Sequence, residues 1–351
     1  MKAVLIYGPR DVRVEEIPTP EPGSGEVLIR VRAAGICGSD LHFHRQQASG
    51  AWQRRNTAAG HEIAGDVVAL GEGVTRVEVG DRVGVEPLIG CGQCPQCAAG
   101  QYHRCPQLRH IGGRDWSGGF AEYCKAPQEK VFPLPEPVTY EEAALGDGFA
   151  VAIHAMQRVP VPGRSVIVLG DGAIGQAVMQ AARTYGADKV ALVGHHDHAL
   201  QVAQATGADL TVNERDADWQ ETLQEWTEGQ GAEVVFETVG GTAPTLQQAL
   251  EVARPGGRVG VVGSFLQSPP FNFSLFLRQE IALVPVWSYA LWEGVPEYQI
   301  ALDLLAQGQF QARPLITHRF PLEGASEAFA AALNKGQSRA IKVLLLPSGP
   351  C

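Results

Sequence analysis

Four of the seven cysteines fall within fifteen residues, in the stretch CGQCPQCAAGQYHRC, at Cys91, Cys94, Cys97 and Cys105. Thiolates that share one tetrahedral ion must converge at ~2.3 Å, and short loops rich in Gly and Pro let them do so. Gly90, Gly92, Pro95 and Gly100 supply those turns. Zinc and an iron–sulfur cluster both use four thiolates, so the spacing admits either. All-cysteine ligation leaves no open position, so a metal here supports the fold and not a reaction. A disulfide framework belongs to short secreted chains, which a chain of 351 residues is not.

The second constellation is GDGAIG, which reads G-x-G-x-x-G at Gly170, Gly172 and Gly175 with Ala173 and Ile174 inside it. It follows an apolar strand pattern and opens a helical one, the context in which this motif binds a dinucleotide. The first glycine makes the tight turn, the second admits the pyrophosphate, and the third lets the helix pack on the strand. The helix N-terminus then receives the phosphates. An NAD site places an acid about 20 residues later, at the end of the next strand, on the ribose 2′-hydroxyl. Here that strand ends in LVGHHDHA, with Gly194, His195 and His196 at the acid's place and Asp197 slightly late. Without an acid a 2′-phosphate meets less repulsion and a histidine can donate to it, so the sequence favours NADP over NAD. The alternative is that Asp197 still reaches the ribose. Val239, Val262 and Gly263 are added as candidate cofactor contacts.

The elements that position these residues follow from pattern. Hydrophobic residues make up 45% and charged residues 19%, which supports sizeable cores. The net charge of −10 lacks the electrostatic footprint of a nucleic-acid binder. No apolar run approaches the ~20 residues needed to cross a bilayer, and the first residues are too polar for a signal core. The expected location is the cytoplasm. Residues 1–135 read as short strands and turns, among them 26–33, 61–70 and 119–126. Thr139 with Glu142 fits a capping box, and one helix is expected through AALGDGFAVAIHAMQ. From 165 strands and helices alternate, with strands at 165–170, 189–194, 208–212, 232–237, 257–263 and 281–286. That alternation predicts a parallel, doubly wound α/β sheet. The tail from 287 adds two helical stretches and a last strand in AIKVLLLP.

Three further stretches complete the pattern: AGICGSDLH with Cys37, Ser39, Asp40 and His42, AAGHEIAG with His61 and Glu62, and ALGDGFAVAIHA with Asp147. With the cysteine lobe and the glycine turn, the chain resembles the zinc-dependent medium-chain alcohol and polyol dehydrogenases over nearly its whole length. The resemblance implies a mainly β, GroES-like catalytic domain at 1–149 carrying a structural zinc lobe at 90–106. It implies a Rossmann domain at 150–286, a return to the catalytic domain at 287–351, and an active site in the cleft between the domains. Two zinc ions per chain are implied, the second held by Cys37, His61 and Asp147. The family has Cys or Glu at the last position; Asp is shorter, so its helix must come nearer or a water must bridge, and Glu62 is the alternative ligand. Asp40 is placed to orient His61, and Ser39 and His42 match a proton relay.

The implied reaction is hydride transfer between a secondary alcohol, of polyol, sugar-alcohol or amino-alcohol type, and NADP or NAD. Trp52, Phe120 and Trp287 are candidate pocket walls. A homodimer or homotetramer is implied, with IALVPV as the available edge strand. Cys124 and Cys351 are read as non-ligands and His154 as a core residue, while His103, His110 and His318 receive no role. A zinc-free quinone or enone reductase would lack Cys37, His61 and the lobe. A zinc-ribbon-like binding module would leave GDGAIG unexplained, and a catalytically retired member would have Asp147 as its defect.

Overall fold

The change of pattern near residue 139 separates two kinds of sheet in the computed structural model, which describes residues 1–44, 57–113 and 116–348. Met1–Asp147, Glu293–Gln307 and Ile316–Cys351 form one compact unit, and Gly148–Trp292 with Gly308–Leu315 form another. Among the described residues no helix is long and apolar enough to cross a membrane. Trp52 and Cys351 lie outside the described residues.

The Gly148–Trp292 unit holds a six-stranded sheet, all of it parallel. Their spatial order is Leu210–Asn213, Lys189–Gly194, Ser165–Leu169, Ala232–Glu237, Ala253–Val261, Ala282–Pro285. Numbered in chain order this is 3-2-1-4-5-6, the doubly wound dinucleotide-binding arrangement, with its switch point beside Ser165–Leu169. A parallel sheet covered on both faces demands continuous apolar strands, and Val166, Ile167 and Val168 are wholly buried. The helices Ala173–Thr184, Asp197–Ala205 and Thr245–Val252 pack on it. The Thr245–Val252 helix stops short of Pro255-Gly256-Gly257. That triplet instead bulges the following strand, where the register jumps from Ala232–Ala253 to Val234–Arg258 and Gly256 takes φ 71°.

In the other unit Glu26–Gly35 is a central strand. It lies between Lys342–Leu345 and Glu62–Leu70, and Tyr123–Pro127 pairs with its first half. Val27, Ile29 and Val31 alternate into a core that also contains Ile63, Val83, Phe120 and Phe329. Phe120 is fully buried and meets Phe329 edge-on at 6.1 Å, so it is a core residue and not a pocket wall. Cys124 is buried in the same core, which pushes its thiol up to about 12 and suits its reading as a non-ligand.

The first part of the chain is not purely β: Gly38–His44 is a short helix. The helix expected after Thr139 is two helices, Tyr140–Ala143 and Gly146–Arg158. The capping box opens the first, and a tight Leu145 N–H to Glu142 carbonyl bond of 3.0 Å closes it. This break puts Asp147 in the opening turn of the second helix.

Candidate functional site

Three neighbouring strands bring their chemistry to one place. Cys37 follows the end of Glu26–Gly35, His61 immediately precedes the antiparallel neighbour that Glu62 starts opposite Gly35, and Lys342 opens the strand on the other side. The Cys37 thiol, an imidazole nitrogen of His61 and a carboxylate oxygen of Glu62 lie within 4.8 Å of one another. Lys342 Nζ donates to both Glu62 oxygens at 2.7 Å, and both side chains are buried. Glycine at 35 makes this possible: a Cβ there would lie 1.9 Å from Glu62 Oε2. Sequence reasoning missed Lys342, although one lysine in the apolar run AIKVLLLP is a signal that a buried partner exists.

Charge at this place is anionic and directed at His61. Burial works against a charge on the imidazole. Cys37 beside it, with Asp40 and Asp147, nevertheless holds it well above its ordinary value. Burial likewise works against the Lys342 ammonium, and Glu62, Cys37 and Asp147 raise it overall. A thiolate, an imidazole and buried carboxylates around one point form a donor set that fits a zinc ion. Asp147 is buried and acts on His61, yet among the described residues the tight donor grouping is Cys37, His61 and Glu62 without it. Asp40 accepts the Cys37 amide at 3.0 Å and so ties Cys37 to the Gly38–His44 helix. On that helix Ser39 is exposed and His42 half-buried, three residues apart and therefore on one face.

The four cysteines of the lobe also converge, their sulfurs all within 4.8 Å and none in a disulfide. One tetrahedral ion at ~2.3 Å from each sulfur sets them ~3.8 Å apart, whereas a multi-iron cluster holds its thiolates farther apart. The geometry therefore fits one ion. Amides of Gln93 and Cys94 pull the Cys91 thiol down to about 6, while burial pushes Cys97 up to about 11. Cys94 caps the short Pro95–Ala98 helix by accepting the Cys97 amide at 3.4 Å. The lobe hangs from a two-strand ladder in which Leu88 faces His110 and Ile89 faces Arg109. His110, to which the sequence assigned no role, meets the His61 ring edge-on at 5.0 Å. Tyr102, inside the lobe, lies under the Lys130 ammonium at 3.7 Å, and Lys130 pairs with buried Glu86 at 2.7 Å. Cys94→Ser is expected to lower the melting temperature by roughly 5–10 °C without a selective loss of turnover per folded molecule. Calorimetry with metal counting checks this.

In the other unit Gly172 caps the Ala173–Thr184 helix, and a Cβ on Gly175 would lie 1.8 Å from the Gly170 carbonyl oxygen, as the motif requires. Glu237, which sequence reasoning passed over, organises three of the expected contacts. Its carboxylate accepts the amides of Val239 and Gly240 at 2.8 Å, and its carbonyl accepts Val262 and Gly263 at 2.8 and 3.0 Å. At the end of the second strand the structure adds a group that the sequence pattern did not show. No acid stands at Gly194, but Asp171 from within the glycine turn reaches that place, with Oδ2 2.6 Å from where a Cβ on Gly194 would sit. Asp197 instead accepts the Asn213 side-chain amide at 2.7 Å. Trp287, the remaining candidate wall, is 56% exposed.

Residues 23–136 match the family described as alcohol dehydrogenase GroES-like domain, and residues 173–307 match zinc-binding dehydrogenase. The sorbitol dehydrogenase of Bacillus subtilis is 34% identical over 99% of this chain and 98% of its own. The L-threonine 3-dehydrogenase of Symbiobacterium thermophilum is 33% identical over 95% and 94%. The crystal structure of galactitol-1-phosphate dehydrogenase from Escherichia coli superposes with a TM-score of 0.88 at 31% identity, over 99% of this chain and 100% of that one. Solved structures of the same fold hold either dinucleotide. One from Escherichia coli CFT073 carries NADH (29% identity, TM-score 0.88, 99% of each chain). One from Sinorhizobium meliloti 1021 carries NADP (30% identity, TM-score 0.86, 99% of each chain). Neither a zinc-free reductase nor a binding module is favoured by these relatives or by the two assembled donor sets. The chain belongs to the zinc-type medium-chain alcohol and polyol dehydrogenases.

Proposed function

We propose that this protein interconverts a secondary alcohol of the polyol or amino-alcohol class and its ketone, using a nicotinamide dinucleotide and two zinc ions per chain. The observation that carries the reading is the convergence of Cys37, His61 and Glu62 within 4.8 Å, backed by Lys342. Cys37, His61 and Asp147 would hold the catalytic ion, and Cys91, Cys94, Cys97 and Cys105 the structural one. The bound metal supplies a Lewis acid that lowers the pKa of the substrate hydroxyl, and the nicotinamide is the hydride acceptor.

The chain's own residues do the rest. Asp40 holds the Cys37 loop through its amide. Glu62 keeps negative charge behind the ligands, and because both its oxygens are taken by Lys342 it serves better as a charge behind the site than as a ligand. Ser39 and His42 share one face of their helix and would pass the alcohol proton outward, a task that suits a hydroxyl and an imidazole in series. Whether the dinucleotide is NAD or NADP, where the sequence leaned to NADP, turns on Asp171. Pairing through Ala282–Pro285, the terminal strand of its sheet, would give a homodimer or homotetramer, which we place in the cytoplasm.

The test is kcat/KM over a panel of polyols and amino-alcohols with both dinucleotides, alongside zinc content. No turnover on any of them would support a retired enzyme instead. The third ligand is tested separately. Asp147→Asn is expected to lower zinc content and to cut kcat/KM at least a hundredfold, about 2.8 kcal/mol of transition-state stabilisation, with Glu62→Gln milder in metal content. The reverse ranking would make Glu62 the ligand.

A further inference from the structure

A doubly wound sheet of this order receives the adenosine ribose at the end of its second strand, here Lys189–Gly194. The backbone amides just beyond that point, at the start of Asp197–Ala205, would be donors for an anion. In this chain they are already taken. Asp171 Oδ2 accepts the His195 amide at 3.0 Å and the His196 amide at 2.8 Å, and lies 2.9 Å from His196 Nδ1. The carboxylate is buried, and it occupies the volume a side chain at 194 would need, since a Cβ there would lie 2.4 Å from Asp171 Cβ. Burial opposes the charge on Asp171, but His196 and the two amides outweigh burial and pull the carboxyl down to about 2. The surrounding groups do not reverse the sign. His195 Nδ1 is 2.6 Å from Glu214, Asp197 is held by Asn213, and the His198 ring lies 5.6 Å from that of His196.

We infer that Asp171 is the residue that selects NAD against NADP, as an anion built into the chain at the place where a 2′-phosphate would have to bind. A 2′-hydroxyl can donate to a carboxylate. A 2′-phosphate would meet a like charge and find the two amides and His196 engaged. The preference is therefore the opposite of the one drawn from Gly194, His195 and His196, which considered only residues at the strand's end. The inference rests on the dinucleotide reading above and deepens it: the specificity charge is carried by the glycine turn and not by the second strand.

Binding to the zinc-loaded protein decides it, without turnover. Calorimetry with 5′-AMP and adenosine 2′,5′-bisphosphate, and nicotinamide fluorescence with NADH and NADPH, give two affinity ratios. The wild type is expected to bind the unphosphorylated member of each pair about tenfold or more tightly. Asp171→Ala, which frees both amides and His196, should shrink or reverse the ratios by at least about tenfold, chiefly by tightening the 2′-phosphate ligand. Asp171→Asn keeps the shape and removes the charge, and should shift them in the same direction by less. A wild type that prefers the 2′-phosphate overturns the inference, as do unchanged ratios in both variants that still bind 5′-AMP. A wild type that binds none of the four ligands overturns the dinucleotide reading itself.

Discussion

Cys37→Ala and His61→Ala proteins are expected to lose one of two zinc ions and at least three orders of magnitude in kcat/KM, while binding NADH as the wild type does. Both residues belong to the donor grouping at the head of the central strand, and the glycine turn lies in the other compact unit. The height of the barrier sets the size. A Lewis acid at a reacting oxygen supplies several kcal/mol of charge stabilisation, and each ~1.4 kcal/mol is tenfold, so a loss of 10³ is a lower bound. Alanine removes the ligand atom without adding bulk, and His110 still borders the cavity left at His61. Metal analysis, stopped-flow turnover and NADH fluorescence on the same preparations separate the two expectations. Turnover near wild type in either variant would remove these residues from the catalytic centre.

The second large effect falls on stability. Lys342→Met leaves Glu62 buried with both oxygens deprived of the ammonium that now sits 2.7 Å from each. Removing one partner of a buried pair costs about 3–5 kcal/mol because an uncompensated charge stays behind. That corresponds to a fall in melting temperature on the order of 10 °C for a unit of this size. Glu62→Gln in the Lys342→Met background removes the stranded charge and should recover part of the loss, which a double-mutant cycle by calorimetry reads directly. The pH dependence has a definite sign. The Lys342 ammonium is held above its ordinary value, so its contribution is complete below about pH 10 and is lost only as pH rises through the raised value. If Lys342→Met melts with the wild type, Glu62 is not charged in the folded protein.

Local pattern made some of this legible and topology hid the rest. The run SVIVL followed by GDGAIG announces a buried parallel strand entering a phosphate-binding turn, because period, length and glycine spacing all lie within a dozen residues. The lobe was readable for the same reason. The Thr139–Glu142 capping box was visible too, with the Thr139 amide donating to Glu142 at 3.0 Å, but the stop three residues later was not. Gly146, Asp147 and Gly148 in AALGDG were the local signal for that break, and the apolar residues on either side masked it. Partners across the fold were invisible: Glu62 and Lys342 are 280 positions apart, and only sheet order places them side by side. Asp171 was passed over for a different reason. Its residue type was in plain view, but the direction of its side chain, toward the neighbouring strand's end, depends on the turn that Gly170 and Gly172 make. Phe120 failed as a pocket wall because aromatic type alone does not separate a lining residue from a core one.

The Lys342–Glu62 pair also sets an order of assembly. The four lobe thiols emerge from the ribosome within fifteen residues of one another and can capture their ion at once. Glu62 must wait for a partner 280 residues later, with the whole of Gly148–Trp292 made in between. At synthesis rates of ~5–20 residues per second that delay is roughly 15–60 s. During it the central strand lacks its neighbour Lys342–Leu345, and Glu62 has no ammonium beside it. The two donor groups are thus separated in time as well as in space: the four lobe thiols are all made early in translation, whereas Glu62 gains its cation only when the returning strand closes the sheet.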